Sequence, residues 1–132
     1  MVNAVAVCIE APRIIKRYTV SNLVAIPKGT ILKLSADLTA IASSGADVFA
    51  GISVEEKTAS DGITEIGAAM DGVWDIECEL ASTVTLGAIV VLSGLNVVKN
   101  AAEADLVLGK VVGKALEAGS ASEVIRVMVG QI

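Results

Sequence analysis

The sequence predicts a mostly β fold: a compact β-barrel or β-sandwich-like domain built from a tandem duplicated β unit, with an extended N-terminal arm and at most short helical turns. Three observations predict it. Residues 84–132 repeat residues 26–74 at an ungapped offset of 58, so that Gly29, Ile31, Leu34 and Ser35 meet Gly87, Ile89, Leu92 and Ser93. In the same register Ala46, Asp47, Gly51 and Val54 meet Ala104, Asp105, Gly109 and Val112, and Glu65, Met70 and Gly72 meet Glu123, Met128 and Gly130. Self-similarity at a fixed period marks an architecture built twice. The composition is 54% hydrophobic but only 2% aromatic, with 12 glycines, which predicts a thin core of small side chains and close backbone approach. Finally, turn-forming residues punctuate apolar runs of strand length.

Taken in order, residues 1–25 stand outside the repeat. Val5, Val7 and Ile9 alternate with smaller residues, and Pro12 interrupts before Arg13–Tyr18. Pro is tolerated on sheet edges and not in central ladders, so this segment reads as an arm or edge strand. Residues 26–132 form a single β-rich domain, divided into copy one (26–74), a linker strand (75–83) and copy two (84–132). Each copy opens on a turn, Pro27-Lys28-Gly29 and Leu86-Gly87, where glycine can take positive φ. Strands are predicted over Thr30–Leu34 and Ala88–Leu92. Connectors over 35–46 and 93–104 follow, and the Asn100–Glu103 spacing of a capping box predicts one helical turn.

Further strands are expected over Asp47–Val54 and Asp105–Val112, each with a mid-strand glycine that marks a bulge or close contact. Asp61-Gly62 gives the strongest hairpin signal, with Gly119-Ser120 as its looser counterpart. Final strands run over Thr64–Met70 and Glu123–Val129. Between the copies, Asp75, Glu77 and Glu79 alternate with Ile76, Cys78 and Leu80, the period of a half-exposed strand.

At 132 residues the chain has the size of one domain, and half of it alone would be marginal. The net charge of −5 argues against a phosphate-binding surface, and Tyr18, Phe49 and Trp74 are too scattered to stack bases. No partner among nucleic acids or membranes is expected, since no apolar run reaches the roughly 20 residues of a membrane helix. Met1–Cys8 has an apolar stretch but lacks the basic flank of a signal peptide, so none is expected and the cytosol is the default. Cys8 and Cys78 lack metal-ligand spacing and read as reduced, buried small hydrophobes, with a single bridge as the alternative.

Histidine is absent, which removes Ser-His-Asp, Cys-His and His-zinc machinery, and no enzyme activity or cofactor is expected. Gly109–Lys114 is one residue short of a phosphate loop and has Ala115 where a magnesium-binding hydroxyl belongs, so it reads as a strand with packed glycines. Asp75, Glu77 and Glu79 offer carboxylates on one strand face, for which a solvated sheet face is favoured over a hard cation. Glu55, Glu56 and Lys57 read as loop charge. Arg13, Lys16 and Arg17 concentrate positive charge that reads either as suited to an acidic protein surface or as ordinary solvated charge.

The N-terminal segment, the turn and strand Pro27–Leu32, the small-residue run Ala50-Gly51-Ile52, the segment Gly67–Trp74 and the second-copy runs Gly87–Leu92 and Leu108–Leu116 together resemble capsid decoration, or cement, proteins of tailed double-stranded DNA viruses (tailed bacteriophages). The strongly basic Arg13–Arg17 and the two cysteines depart from that pattern. The resemblance implies a structural virion protein, made in the host cytoplasm, that trimerises and binds the major capsid protein on the outside of an assembled icosahedral shell. There it would stabilise the shell against internal DNA pressure. The capsid-binding candidates are Val5, Val7, Ile9, Arg13, Ile14, Lys16, Arg17 and Tyr18, on an arm expected to be mobile until it adds a strand to the shell. The alternative is a small β-barrel or β-clip accessory domain that binds a ligand or partner.

Overall fold

The computed structural model of the chain describes residues 4–45, 47–80, 83–106 and 109–130. Residues 1–3 of the expected arm, Ala46, residues 81–82 of the expected linker and Leu108 lie outside them. The described strands are β1 (Val7–Glu10), β2 (Ile15–Thr19), β3 (Ile31–Ala36), β4 (Thr39–Ala42), β5 (Phe49–Ser53), β6 (Glu65–Ala69), β7 (Gly72–Cys78), β8 (Ile89–Gly94), β9 (Val97–Asn100), β10 (Val111–Ala115) and β11 (Val124–Val129), with a 3₁₀ turn at Glu103–Leu106. The fold is mostly β, as the sequence predicts.

The strands make two small barrels of one topology. In the first, β2-β4-β3-β5-β6 close on themselves. In the second, β7-β11-β10-β8-β9 follow the same order, and the parallel β7–β9 pairing at Glu77–Val97 repeats the parallel β2–β4 pairing at Thr19–Thr39. A barrel of few strands has a narrow interior. The first is filled by Tyr18, Val20, Ile26, Leu32, Ala40, Ala50, Ile66 and Ala68, which explains why small aliphatics replace aromatics.

The duplication is therefore real but neither ungapped nor confined to residues 26–132. The offset of 58 holds from Ile31 and Ile89 to the Asp47 and Asp105 turns, where each carboxylate accepts the amide three residues before it, from Ser44 and Ala102. It becomes 62 between Gly51 and Gly113, which face Leu32 and Val90, and 59 between Ile66 and Ile125, which face Tyr18 and Ile76. The added residues fall between Asp105 and Val111, and among the described residues the strand expected over Asp105–Val112 begins only at Val111. The β5–β6 connection is correspondingly longer than β10–β11. Asp61-Gly62 is thus part of a broad loop, and Ser120–Glu123, not Gly119-Ser120, repeats Thr58–Asp61.

Both unrepeated segments are also absorbed. Ile15–Thr19 pairs with Ala69–Glu65 as a full strand of the first barrel, and the expected linker strand lies in β7, its counterpart in the second. The expected arm is reduced to the residues before β2. Of these, β1 already adds a strand to the chain's own β7 through Val7–Asp75 and Cys8–Trp74. Ala6 donates its amide to the Gly29 carbonyl at 2.8 Å, and a side chain on Gly29 would strike the Ala6 carbonyl. This segment straps the barrels together.

A seam completes the junction. Asn96, at the tip of the β8–β9 hairpin, accepts the Ile31 amide through Oδ1 at 2.8 Å and donates its own amide to Ser43 Oγ at 3.2 Å. Ser43 Oγ donates onward to the Gly94 carbonyl at 3.2 Å. Around it Ala6, Ile31, Ile52 and Ala69 join Trp74, Ile76 and Val127 in one buried cluster. The shared core makes neither barrel a separate packing unit.

Candidate functional site

Of the eight residues expected to contact a partner, seven are exposed and Tyr18 is buried. Val7 and Ile9 stand out from β1, 56% and 40% exposed, and Val5, Ile14 and Ile15 continue the apolar run toward β2. Among the described residues β1 ends its sheet, leaving its outer edge without a strand. Asp71 fixes the bend between β1 and β2 by accepting the amides of Arg13 at 2.8 Å and Ile14 at 3.0 Å. Such an edge, apolar and unpaired, is where a further strand can add.

The basic residues sit beside this run with different freedom. Arg17 is tied to its own barrel, its Nε 3.2 Å from Glu65 Oε1 and its Nη1 3.5 Å from Glu55 Oε1. Lys16 is exposed, with its ammonium 5.9 Å from the Tyr18 ring centre. Tyr18 itself is buried at 6% exposure, and its hydroxyl donates to Met70 Sδ at 3.7 Å. Burial raises its phenol pKa. As a core residue Tyr18 is removed from the contact set, because alternation along β2 sends it inward where Arg17 points out.

The three carboxylates of β7 and its continuation do not share one solvated face. Asp75 is 3.2 Å from Arg126 Nε, and Glu77 is buried beneath the N-terminal segment, accepting the Ala4 amide at 3.2 Å. Leu80, expected inward, is 76% exposed. Glu77 and Glu79 border an open hollow of about 390 Å³ with Ser93 and Ser122. Among the described residues no group of three His, Cys, Asp or Glu side chains converges to hold a metal. Gly113 lies in β10 so close to Met128 that a side chain would strike the Met128 carbonyl, which fits a packed strand and not a phosphate cradle.

Cys8 corrects its expectation, being exposed, whereas Cys78 is buried; both are free thiols. Burial first, then the nearby Glu123 and Glu77 carboxylates, raises the Cys78 pKa and keeps it protonated.

Lys57 corrects a second expectation. It is not loop charge but a buried plug, 1% exposed, whose ammonium donates to the carbonyls of Asn22 at 2.8 Å, Val24 at 2.9 Å and Thr58 at 3.1 Å. Asp61 Oδ1 lies 3.3 Å away. The Asp61 pKa is lowered chiefly by the Ile63 amide, with the Thr58 amide and Lys57 adding to this against some desolvation. All the donors of Lys57 are used and its charge is balanced, which is what a buried ammonium requires. An ungapped repeat hides this role by aligning Lys57 with Ala115 instead of Gly119.

No helix among the described residues is long and apolar enough to cross a membrane. No protein-family model matches the chain, and no curated protein matches it.

Proposed function

We propose that the protein is a structural virion component that binds the outer surface of an assembled icosahedral capsid as a trimer and stabilises it against internal DNA pressure. The observation that carries this reading is the apolar run Val7, Ile9, Ile14 and Ile15 beside an open strand edge, flanked by Arg13 and Lys16. An acidic chain that sets exposed aliphatic side chains beside Arg13 and Lys16 has there a surface suited to docking on an acidic protein. Because β1 is already ordered on β7, binding adds the shell's strand to a preformed edge and avoids the entropy of ordering an arm. Several such edges on one oligomer bind multivalently, and a protein that binds only the closed shell shifts the equilibrium away from rupture.

The test is co-sedimentation with expanded empty shells of tailed double-stranded DNA viruses, stripped of their own decoration. Wild type is expected to pellet with a matching shell, and Val7→Asp/Ile14→Asp to lose this while retaining its melting transition. Failure of wild type on a broad panel of shells, or undiminished pelleting of the double variant, overturns the reading. Deleting residues 1–20 is a poor test, since it removes β2 and opens the first barrel.

A further inference from the structure

The seam between the barrels is used once inside the chain, and each of its two halves has a counterpart on the other barrel. In the used contact, the β8–β9 tip of the second barrel, Leu95-Asn96, sits against the first barrel. Leu95 and Asn96 line a groove there with Ala25, Pro27, Thr30 and Ala42. The same tip on the first barrel is Asp37-Leu38, between β3 and β4, and it is free: Leu38 is 63% exposed where Asn96 is 3%. Among the described residues nothing fills the same receiving face on the second barrel. It forms a hollow of about 310 Å³ lined by Ala88, Ile89, Asn100, Ala101, Ala102, Glu103 and Leu106, in which Ala88 and Asn100 are the counterparts of Thr30 and Ala42.

The substitutions between the copies are paired across this contact. Inside the chain the polar Asn96 meets the polar Ser43; at the free ends their counterparts are Leu38 and Ala101, both apolar. Leu95 faces Ala25, Pro27 and Ala42, whereas its counterpart Asp37 would face Thr83, Thr85 and Asn100. Polarity has thus changed on both sides of the interface together, at Leu38 with Ala101 and at Asp37 with Asn100. Leu38 also holds φ at 51°, a left-handed conformation that costs an ordinary residue about 1–2 kcal/mol and that asparagine tolerates better. An exposed leucine kept there serves something other than local stability.

We infer that the Asp37-Leu38 tip of one copy docks into the Ile89/Ala101/Leu106 hollow of the next, repeating the intrachain seam between chains. The joined surfaces differ, so the contact is heterologous: it closes into a ring or continues as a filament. A closed trimer would place all its barrels in one quasi-equivalent series. The inference shares only self-association with the proposed function and needs no capsid.

Native mass spectrometry of the full chain tests it. Wild type is expected to be oligomeric and Leu38→Asp and Ala101→Asp monomeric, with unchanged circular dichroism. Leu38→Asn, suited to the local conformation, should weaken association while folding at least as well as wild type. In a Cys8→Ser background, oxidising a mixture of Leu38→Cys and Ala101→Cys chains should give a mixed disulfide dimer. A monomeric wild type, full oligomer mass in both Leu38 variants, or no mixed dimer overturns the inference. An oligomer insensitive to these changes leaves capsid binding standing, and loss of shell binding with an intact oligomer leaves the contact standing.

Discussion

The two barrels share one topology and close their ends by different chemistry. Where the first barrel carries Lys57, bridged to Ile26, the second carries Gly119, bridged to Val84. Lys57 extends an ammonium into a ring of carbonyls. Beside Gly119 there is no room even for a methyl group, since it would strike Ile125 and stand 2.9 Å from Cys78 Sγ. Duplication thus preserved the strand frame and left the end closure free to become ionic in one copy and apolar in the other. An ionic closure is all-or-none, because its partners are left unsatisfied when the charge is removed.

The sharpest way to break this contrast is Lys57→Met. It removes the cation and leaves three carbonyls without their donor, which should cost about 1–3 kcal/mol for each carbonyl left unsatisfied. Urea unfolding measures it, and a loss below about 1 kcal/mol, the size of an exposed ion pair, would show that the plug holds nothing. Gly119→Ala tests the opposite closure. Overpacking against Ile125 and Cys78 should cost about 1–3 kcal/mol, read as a lower denaturant midpoint at constant slope.

A comparable loss is expected at the seam. Asn96→Leu deprives the buried Ile31 amide of its acceptor, about 1–3 kcal/mol for an unsatisfied donor, and places leucine at a φ of 59°. Leu38→Asn, the reverse change at the counterpart, should leave the fold unharmed. If both changes cost the same, the seam has no polar specificity and the pairing of Asn96 with Ser43 is incidental.

The strand frame was legible because its signals are local: the turn glycines Gly29 and Gly87, the alternation of β7, and the apolar runs of β3 and β8. What failed was register, together with the connectors expected over 35–46 and 93–104, which hold β4 and β9. At an offset of 58, Ile66 aligns with Val124, yet Ile66 is buried and Val124 is 55% exposed; at 59 it meets the buried Ile125. A slip of one residue reverses the inward and outward faces of a strand, and chance identities such as Glu65 with Glu123 disguised it. The contact candidates were legible where they depended on exposure of apolar residues on an edge strand, as at Val7 and Ile14. They failed at Tyr18, which became a core residue once its segment was a barrel strand. Lys57 was hidden because its partners are main-chain carbonyls, which leave no mark in side-chain composition.

The smallest effect separates two carboxylates that cap the same loop in the two barrels. Asp61 accepts the amides of Thr58 and Ile63, both at 3.0 Å, and Glu123 accepts the amide and hydroxyl of Ser120 at 2.6 and 3.0 Å. The Glu123 pKa is lowered by the Ser120 amide first and its hydroxyl second, as that of Asp61 is lowered by the Ile63 amide first. A carboxylate lowered in the folded state contributes stability that is present above its unfolded value, about 3.9 for Asp and 4.3 for Glu. That contribution is lost as the pH falls through the lower folded value. Both Asp61→Asn and Glu123→Gln should therefore flatten the fall in stability in acid, followed by urea midpoints from neutral pH downward. They should differ at neutral pH, because only Asp61 also faces a buried ammonium: Asp61→Asn should lower the midpoint more than Glu123→Gln. Equal losses at neutral pH would mean that the carbonyls alone hold Lys57, and the first barrel's end would then be closed by hydrogen bonds without its ion pair.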